Sequence, residues 1–109
     1  MIKHGIDIAL VKRFKKINRK TIERFLSPNE AEIFKKLRNE KFLKENTKTL
    51  FLATRWAIKE ALFKADNQNY KYSEIDIKKI NDVYTYENYS ISVSHDGEYV
   101  IASAIKIKE

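Results

Sequence analysis

The sequence contains no cysteine, one proline and two glycines among its 109 residues. The absence of cysteine excludes disulfide bonds and thiolate metal sites. No run of 18 apolar residues is present and the N-terminal residues lack a signal-peptide pattern, so we expect a cytoplasmic protein without a membrane partner. No Gly-x-Gly-x-x-Gly and no P-loop motif occurs, so a nucleotide would have to be held by side chains and a metal ion. The length and the 43% apolar content predict a single domain over residues 1–109.

Positive charge exceeds negative charge, with 22 Lys and Arg residues against 15 Asp and Glu residues. A net charge of +7 favours an anionic partner, which could be nucleic acid, a membrane surface, a phosphorylated small molecule or an acidic protein. Seventeen of the basic residues are lysines and five are arginines. An AT-rich genome also produces this bias, so an alternative interpretation is that part of the charge reflects codon composition.

Hydrophobic periodicity predicts one strand and then several helices in the first two thirds of the chain. Alternating apolar residues in 1–9 predict a strand, and the basic segment 10–26 has the spacing of a first helix. The Ser-Pro-Asn-Glu sequence at 27–30 predicts a capping box and a helix that ends near residue 39. A longer amphipathic helix is predicted over about 47–66.

Alternation with a period of two predicts strands in the last third. Ile75–Ile77 and Val83–Tyr86 are short candidates, and an Asp-Gly pair at 96–97 predicts a hairpin between two longer strands. A two-residue loop there would pair Val93 with Val100. The predicted fold class is α+β: an antiparallel sheet, made by the N-terminal strand and the C-terminal hairpin, packed with a long central helix and shorter helices.

Asp7 interrupts an otherwise apolar run at residues 5–11. A carboxylate there must be solvated, hydrogen-bonded or bound to a metal, because burial of a bare charge is costly. The alternative is that Asp7 faces solvent on the outer side of the strand or caps the following helix.

The predicted long helix carries a polar stripe at the border of its apolar face. Trp56, Glu60 and Lys64 follow one another at intervals of four residues, whereas Arg55 and Lys59 fall on the opposite arc, which we expect to be exposed. The alternative is an ordinary surface pair between Glu60 and Lys64, worth about 0.3–0.5 kcal/mol.

A serine, histidine and aspartate occur together in residues 92–97. Adjacent residues of a strand point to opposite faces, so Ser94 and His95 cannot form a triad, and no nucleophile elbow is present. His95 could still donate a hydrogen bond to a phosphate. One Asp and one Glu near basic residues suit Mg²⁺, which takes one or two protein carboxylates and completes its shell with water and phosphate oxygens.

Four ordered segments together resemble the small holo-acyl-carrier-protein synthases, a branch of the 4'-phosphopantetheinyl transferases. The first resembling segment is Gly5-Ile6-Asp7-Ile8 with the basic pair Lys12-Arg13 behind it, and the second is Arg24-Phe25-Leu26-Ser27 with Glu30. The most specific is Trp56-Ala57-Ile58-Lys59-Glu60-Ala61-Leu62-Phe63-Lys64-Ala65, and the fourth is Ile91-Ser92-Val93-Ser94-His95. The resemblance spans nearly the whole chain.

The resemblance implies a cytoplasmic, magnesium-dependent transferase of fatty acid and lipid biosynthesis. Such an enzyme moves 4'-phosphopantetheine from coenzyme A to a serine of an acidic acyl carrier protein and releases adenosine 3',5'-bisphosphate. It also implies a homotrimer with active sites at subunit interfaces and no nucleic-acid partner. The implied residues are Asp7 and Glu60 as magnesium ligands, Glu60 and Lys64 as catalytic residues, Arg55, Lys59, Lys64 and His95 as coenzyme contacts, and Lys12, Arg13, Lys16 and Arg24 as the carrier-docking surface.

One region departs from the family pattern. Residues 66–70 lack glycine, and the segment 70–89 is short and lacks a Gly-Lys-Pro-like turn. Two alternatives therefore stay open: a scaffold that has lost activity, and a basic nucleic-acid-binding module whose tyrosines stack on bases. The tyrosines in question are Tyr70, Tyr72, Tyr84, Tyr86 and Tyr89.

Overall fold

The computed structural model describes residues 1–40 and 46–108, and over these residues the chain forms an antiparallel sheet and three α-helices. The strands follow the order β1-β5-β4-β3-β2 across the sheet. The α+β fold class is therefore confirmed, including the pairing of the N-terminal strand with the C-terminal hairpin. The strands are β1 His4–Leu10, β2 Lys78–Ile80, β3 Val83–Tyr86, β4 Tyr89–Asp96 and β5 Tyr99–Lys106; the helices are α1 Arg19–Phe25, α2 Pro28–Asn39 and α3 Thr47–Ala65, with 3₁₀ turns at Val11–Phe14 and Tyr72–Glu74.

The long helix α3 lies across β1 and β5 and forms the centre of the core. Ala57, Ile58, Ala61 and Leu62 on its inner face are fully buried. Gly5 of β1 lies directly against this face, since a Cβ atom there would be 1.8 Å from the carbonyl oxygen of Ala61. A strand and a helix can approach this closely only where the side chain is missing.

The isoleucines of β1 lie on its exposed face, contrary to what their hydrophobicity alone would suggest. Ile6 and Ile8 are each 57% exposed, whereas Ala9 is buried on the face that packs on α3. Asp7 lies on this inner face, and its side chain is 14% exposed. The alternative interpretation in which Asp7 points to solvent is therefore wrong.

The basic segment predicted as one helix over 10–26 forms two separate helical segments. The 3₁₀ turn Val11–Phe14 ends first, and α1 begins only at Arg19. Asn18 has an extended backbone and its side chain accepts a hydrogen bond from the Thr21 amide at 2.9 Å. An asparagine in this role starts a new helix rather than continuing an old one, which explains the break.

The capping box at the start of α2 is confirmed, with reciprocal hydrogen bonds between Ser27 and Glu30. The strand predicted at Ile75–Ile77 is wrong. Its polar groups bind the start of α2 instead of a neighbouring strand: Ser27 Oγ donates to Asp76 at 2.6 Å, and the Ile77 amide donates to Glu30 Oε2 at 3.1 Å. Strand β2 begins only after this segment.

The predicted hairpin is present, but its turn lies one residue later than expected. Asp96 pairs with Tyr99, so Gly97 is the first residue of the two-residue loop, and Val93 pairs with Ala102. Gly97 has a φ of +58°, the conformation that a type II′ turn requires at its first central position. The register differs by two residues from the predicted one, so every side chain keeps its predicted face.

Candidate active site

The contact between β1 and α3 brings Asp7 and Lys64 together. Lys64 Nζ donates to Asp7 Oδ1 at 3.0 Å and to the carbonyl oxygen of Ile6 at 3.1 Å. The Lys64 side chain is 53% exposed, so this ion pair lies at the surface rather than inside the core. The polar stripe predicted on α3 therefore faces a carboxylate from a distant part of the sequence.

Glu60 lies one helical turn before Lys64 and is held by a tyrosine. The Tyr72 hydroxyl donates to Glu60 Oε2 at 2.7 Å, and the Tyr72 ring packs edge-on against Trp56 at 5.7 Å between ring centroids. Burial and the adjacent Glu60 carboxylate raise the pKa of Tyr72, so the phenol stays a hydrogen-bond donor. Sequence reasoning considered Tyr72 only as a base-stacking residue, and no local pattern placed it beside Glu60.

The donor set of this cluster fits a hard divalent cation. The described hydrogen bonds use one oxygen of each carboxylate, Asp7 Oδ1 and Glu60 Oε2. Within residues 1–40 and 46–108 no group of three or more His, Cys, Asp or Glu residues has metal-binding geometry. Mg²⁺ needs only one or two protein carboxylates when a substrate phosphate supplies further oxygens, so two carboxylates are compatible with it.

Arg55 and His95 line a cavity of about 590 Å³ at a different place on the surface. The Arg55 guanidinium lies between two aromatic rings, 4.4 Å from the Phe51 centroid and 5.1 Å from the Tyr84 centroid. Lys79 is 5.1 Å from the centroid of Tyr84 and adds another positive charge to this cavity. Cationic and aromatic groups together suit a phosphorylated ligand with a ring.

The prediction that Arg55 and Lys59 are exposed is wrong, because their exposed fractions are 4% and 0%. Helix α2 covers this arc of α3 and supplies the fully buried Glu30 as a counter-charge. Lys59 Nζ donates to the Glu30 carboxylate and to the carbonyl oxygens of Phe25 and Tyr72. Burial lowers the pKa of Lys59 even though Glu30 opposes that effect.

These contacts occupy all three N–H groups of the Lys59 ammonium. In this structure Lys59 joins α1, α2 and the Tyr72 turn to α3, and it does not reach the surface. Burial likewise lowers the pKa of Arg55, and Arg55 Nε has no hydrogen-bond partner among the described residues.

The basic residues predicted to dock a carrier are exposed and lie on two neighbouring elements. Lys12 and Arg13 are on the 3₁₀ turn, Lys16 follows it, and Arg24 is in the last turn of α1. Beside them an open groove between α1 and α2 is lined by Ile17, Ile22, Leu26 and Phe34 together with charged residues. The surface combines positive charge with apolar area.

Of the five tyrosines that could stack on bases, four are buried or half-buried. Tyr89 is buried, and its ring stacks on that of Tyr86. Tyr72 and Tyr84 are half-buried, whereas Tyr70 is 61% exposed. The exposed tyrosine surface on which the nucleic-acid interpretation rested is therefore not formed by these residues.

The chain matches known proteins along nearly its whole length. Residues 3–104 match the model of the 4'-phosphopantetheinyl transferase superfamily. Holo-[acyl-carrier-protein] synthase of Mycoplasmopsis pulmonis is 41% identical, with 98% of this chain and 92% of the relative covered. The corresponding protein of Mycoplasma mobile is 43% identical, with 94% and 86% covered.

A solved structure gives the same result for the fold. The holo-(acyl-carrier-protein) synthase of Bacillus anthracis, crystallised in complex with CoA (3',5'-ADP), superposes with a TM-score of 0.79 at 26% identity, with 98% of this chain and 96% of that chain covered. The fold is that of an enzyme class that the matches define. The chain belongs to the 4'-phosphopantetheinyl transferase superfamily and, within it, to the family of holo-[acyl-carrier-protein] synthases. The resemblance seen in the sequence and the predicted enzyme class are confirmed.

Among the described residues, no helix combines the length and the apolar character needed to cross a bilayer.

Proposed function

We propose that the protein transfers 4'-phosphopantetheine from coenzyme A to a serine hydroxyl of an apo-acyl carrier protein, with Mg²⁺ as cofactor and adenosine 3',5'-bisphosphate as the released product. The observation that carries this proposal is the meeting of Asp7 on β1 with the Glu60–Lys64 stripe of α3. The family membership and the coenzyme-bound Bacillus anthracis structure support the substrate class.

Each residue of the cluster has a distinct part in the proposed reaction. The carrier serine oxygen forms a bond to the β-phosphorus of the coenzyme, the bond from that phosphorus to the bridging pyrophosphate oxygen breaks, and the bisphosphate leaves. Asp7 and Glu60 would hold the Mg²⁺ ion, which when bound would supply positive charge to the pyrophosphate oxygens. Lys64 adds a second positive charge from the same side, and Glu60 accepts the serine proton either directly or through a water molecule. Such transfers depend on positioning and charge more than on covalent help.

The coenzyme site is proposed to span two copies of the chain. Arg55 and Glu60 are about 140° apart around α3, because each residue turns a helix by about 100°. Glu60 and Lys64 are not among the residues that line the cavity with Arg55 and His95. A neighbouring copy that brings its cavity against this cluster would complete the site, as in the homotrimer that we propose.

An exposed apolar surface supports self-association. On the outer face of the sheet, neighbouring β1 and β5 present side chains that are 37–57% exposed. Contiguous apolar patches of this kind mark protein contacts. We define the outer sheet face by Ile6, Ile8, Tyr99, Ile101 and Ile105.

The carrier is proposed to dock on Lys12, Arg13, Lys16 and Arg24. Their exposure and common sign suit an acidic partner, and charges at the rim of an interface act mainly on association rate and salt dependence. We also propose that residues 1–109 form a single phosphopantetheinyl transferase domain acting in cytoplasmic fatty acid and lipid biosynthesis, with Arg55, Lys64 and His95 contacting the coenzyme. Lys59 supports this site through its buried contacts.

Intact-mass spectrometry of an apo-acyl carrier protein tests the proposal directly. After incubation with the protein, coenzyme A and Mg²⁺, we expect a mass gain equal to one phosphopantetheine, which EDTA abolishes. Asp7→Ala and Glu60→Ala should each abolish the gain while the circular dichroism spectrum stays that of the wild type. Glu74→Ala is the matched control, because Glu74 is an exposed carboxylate outside the cluster.

Two results would contradict this assignment. No mass gain with any of several carriers would reject the transferase activity, and wild-type turnover in Asp7→Ala or Glu60→Ala would reject the metal site. If Arg13→Glu and Lys16→Glu weaken coenzyme use as much as carrier use, the proposed docking surface is rejected instead.

A further inference from the structure

Tyr72 is the one polar side chain from outside α3 that is hydrogen-bonded to Glu60 among the described residues. We propose that Tyr72 is a positioning residue, which holds the Glu60 carboxylate in the orientation that serves the metal and the reacting serine. The proposal rests on the function proposed above and adds a residue to it. Tyr72 acts through Glu60 and is not itself placed against substrate.

The hydrogen bond is short and directional. The Tyr72 hydroxyl donates to Glu60 Oε2 at 2.7 Å, which is the usual distance for an O–H group donating to a carboxylate. One carboxylate oxygen is thereby fixed on the Tyr72 side, and Glu60 Oε1 is directed away from that bond. A glutamate side chain has several freely rotating bonds, so a fixed oxygen removes most of its alternative orientations.

The tyrosine is itself held at both ends. Its ring packs edge-on against Trp56, which is on the same stripe of α3 as Glu60. Its carbonyl oxygen accepts hydrogen bonds from the buried Lys59 Nζ at 2.9 Å and from the Ile75 amide at 3.1 Å. Side chain and backbone are therefore fixed independently, as expected of a residue that orients another group.

The arrangement also prevents a competing contact. Glu60 and Lys64 are four residues apart on α3, the spacing at which a glutamate and a lysine form an ion pair on a helix surface. In the structure Lys64 pairs with Asp7, and Glu60 pairs with Tyr72. Without the phenol, Glu60 would be free to turn toward Lys64, and both charges would be drawn away from the substrate.

Tyr72→Phe tests this role because it removes the hydroxyl and keeps the ring. We expect the Mg²⁺ concentration for half-maximal transfer to rise about 10–100-fold, the range seen when a partner of a metal ligand is lost. The KM for the carrier should stay unchanged. Tyr70→Phe is the matched control, since it removes the hydroxyl of a 61% exposed tyrosine two residues away, and it should behave as the wild type.

A binding measurement separates positioning from stability. Mn²⁺ bound in the presence of coenzyme A, measured by the loss of the free-ion electron paramagnetic resonance signal, should be about 10-fold weaker or more in Tyr72→Phe. Thermal unfolding should be close to wild type in this variant, whereas Tyr72→Leu also loses the ring contact with Trp56 and should unfold at a lower temperature.

The outcomes distinguish this proposal from the function on which it rests. A wild type with metal-dependent transfer and a Tyr72→Phe variant that matches Tyr70→Phe in both measurements would reject the role of Tyr72 alone. A lower unfolding temperature without any change in metal dependence would make Tyr72 a purely structural residue and also reject it. A wild type without transfer or metal binding would reject the function and this inference together.

Discussion

At the scale of single residues, Gly5 determines how closely β1 approaches α3. A Cβ atom at this position would meet three backbone atoms of α3, including the Ala65 nitrogen at 2.6 Å. Backbone atoms cannot rotate aside, so the strand would have to move away from the helix. The same strand carries Asp7, whose distance from Lys64 is 3.0 Å.

Gly5→Ala is therefore expected to affect both stability and activity. Overpacking of this kind costs about 1–3 kcal/mol of unfolding free energy, measurable by urea unfolding. Transfer activity should fall because Asp7 moves with the strand. Ser92→Ala, on the exposed face of β4, is the control and should change stability by less than about 0.5 kcal/mol. A Gly5→Ala variant as stable and active as the wild type would show that β1 shifts without cost.

Other residues show how far the sequence could predict the site. The period of α3 placed Glu60 and Lys64 on one stripe, and the resemblance pointed to Asp7 as their partner. The burial of Lys59 could not be predicted, because a charged residue opposite an apolar face is normally exposed. Its burial depends on Glu30, which the sequence presented in a capping box and in one of the family-like segments but not as a partner of Lys59.

At the scale of elements, local signals worked where the structure is set by neighbouring residues. The capping box fixed the start of α2, and the period of α3 predicted its ends to within about one residue. Two sequence predictions were wrong. Ile75–Ile77 alternates like a strand, but its backbone binds the distant start of α2 instead of a neighbouring strand. The hairpin turn lies one residue later than predicted because Gly97 is the residue with a positive φ at the start of the loop.

The link between Asp76 and α2 predicts a pH dependence of stability. Burial would raise the pKa of Asp76, but hydrogen bonds from Ser27 and Asn29, together with the positive charges of Lys78 and Lys59, lower it on balance. A carboxylate with a lowered folded-state pKa contributes stability above its unfolded-state pKa of about 3.9, and this contribution is lost as the pH falls through the folded-state value.

Asp76→Asn should therefore destabilise the protein by about 1 kcal/mol near pH 6 and by less near pH 3. Urea unfolding of both proteins at the two pH values measures the difference. An equal penalty at both pH values would mean that the charge of Asp76 does not contribute to holding α2.

At the scale of the whole molecule, the outer sheet face is an apolar surface that a single copy of the chain leaves exposed. Ile8 lies opposite Ile101 in the pairing of β1 with β5, at the centre of this patch. The alternation in residues 1–9 predicted the strand, but it did not show that Ile6 and Ile8 lie on the exposed face. Their exposure is understandable if a second copy covers them.

Ile8→Asp should accordingly shift the protein to a monomer in sedimentation equilibrium, and transfer should be lost with the oligomer because each proposed site spans two copies. Ile80→Asp is the control, since Ile80 is 54% exposed on β2, at the edge of the sheet opposite β1, and does not line the cavity with Arg55 and His95. A wild type that sediments as an active monomer would contradict both the trimer and the shared site.

Lys59 Nζ connects three elements of the fold, and this connection bears on the order of events in catalysis. It joins the carbonyl oxygen of Phe25 at the end of α1, Glu30 at the start of α2, and the carbonyl oxygen of Tyr72. The proposed carrier-docking surface and the proposed holder of Glu60 are thus attached to one buried point. If both proposals hold, the fold sets the spacing between the docked carrier and the Glu60 carboxylate before coenzyme or metal binds.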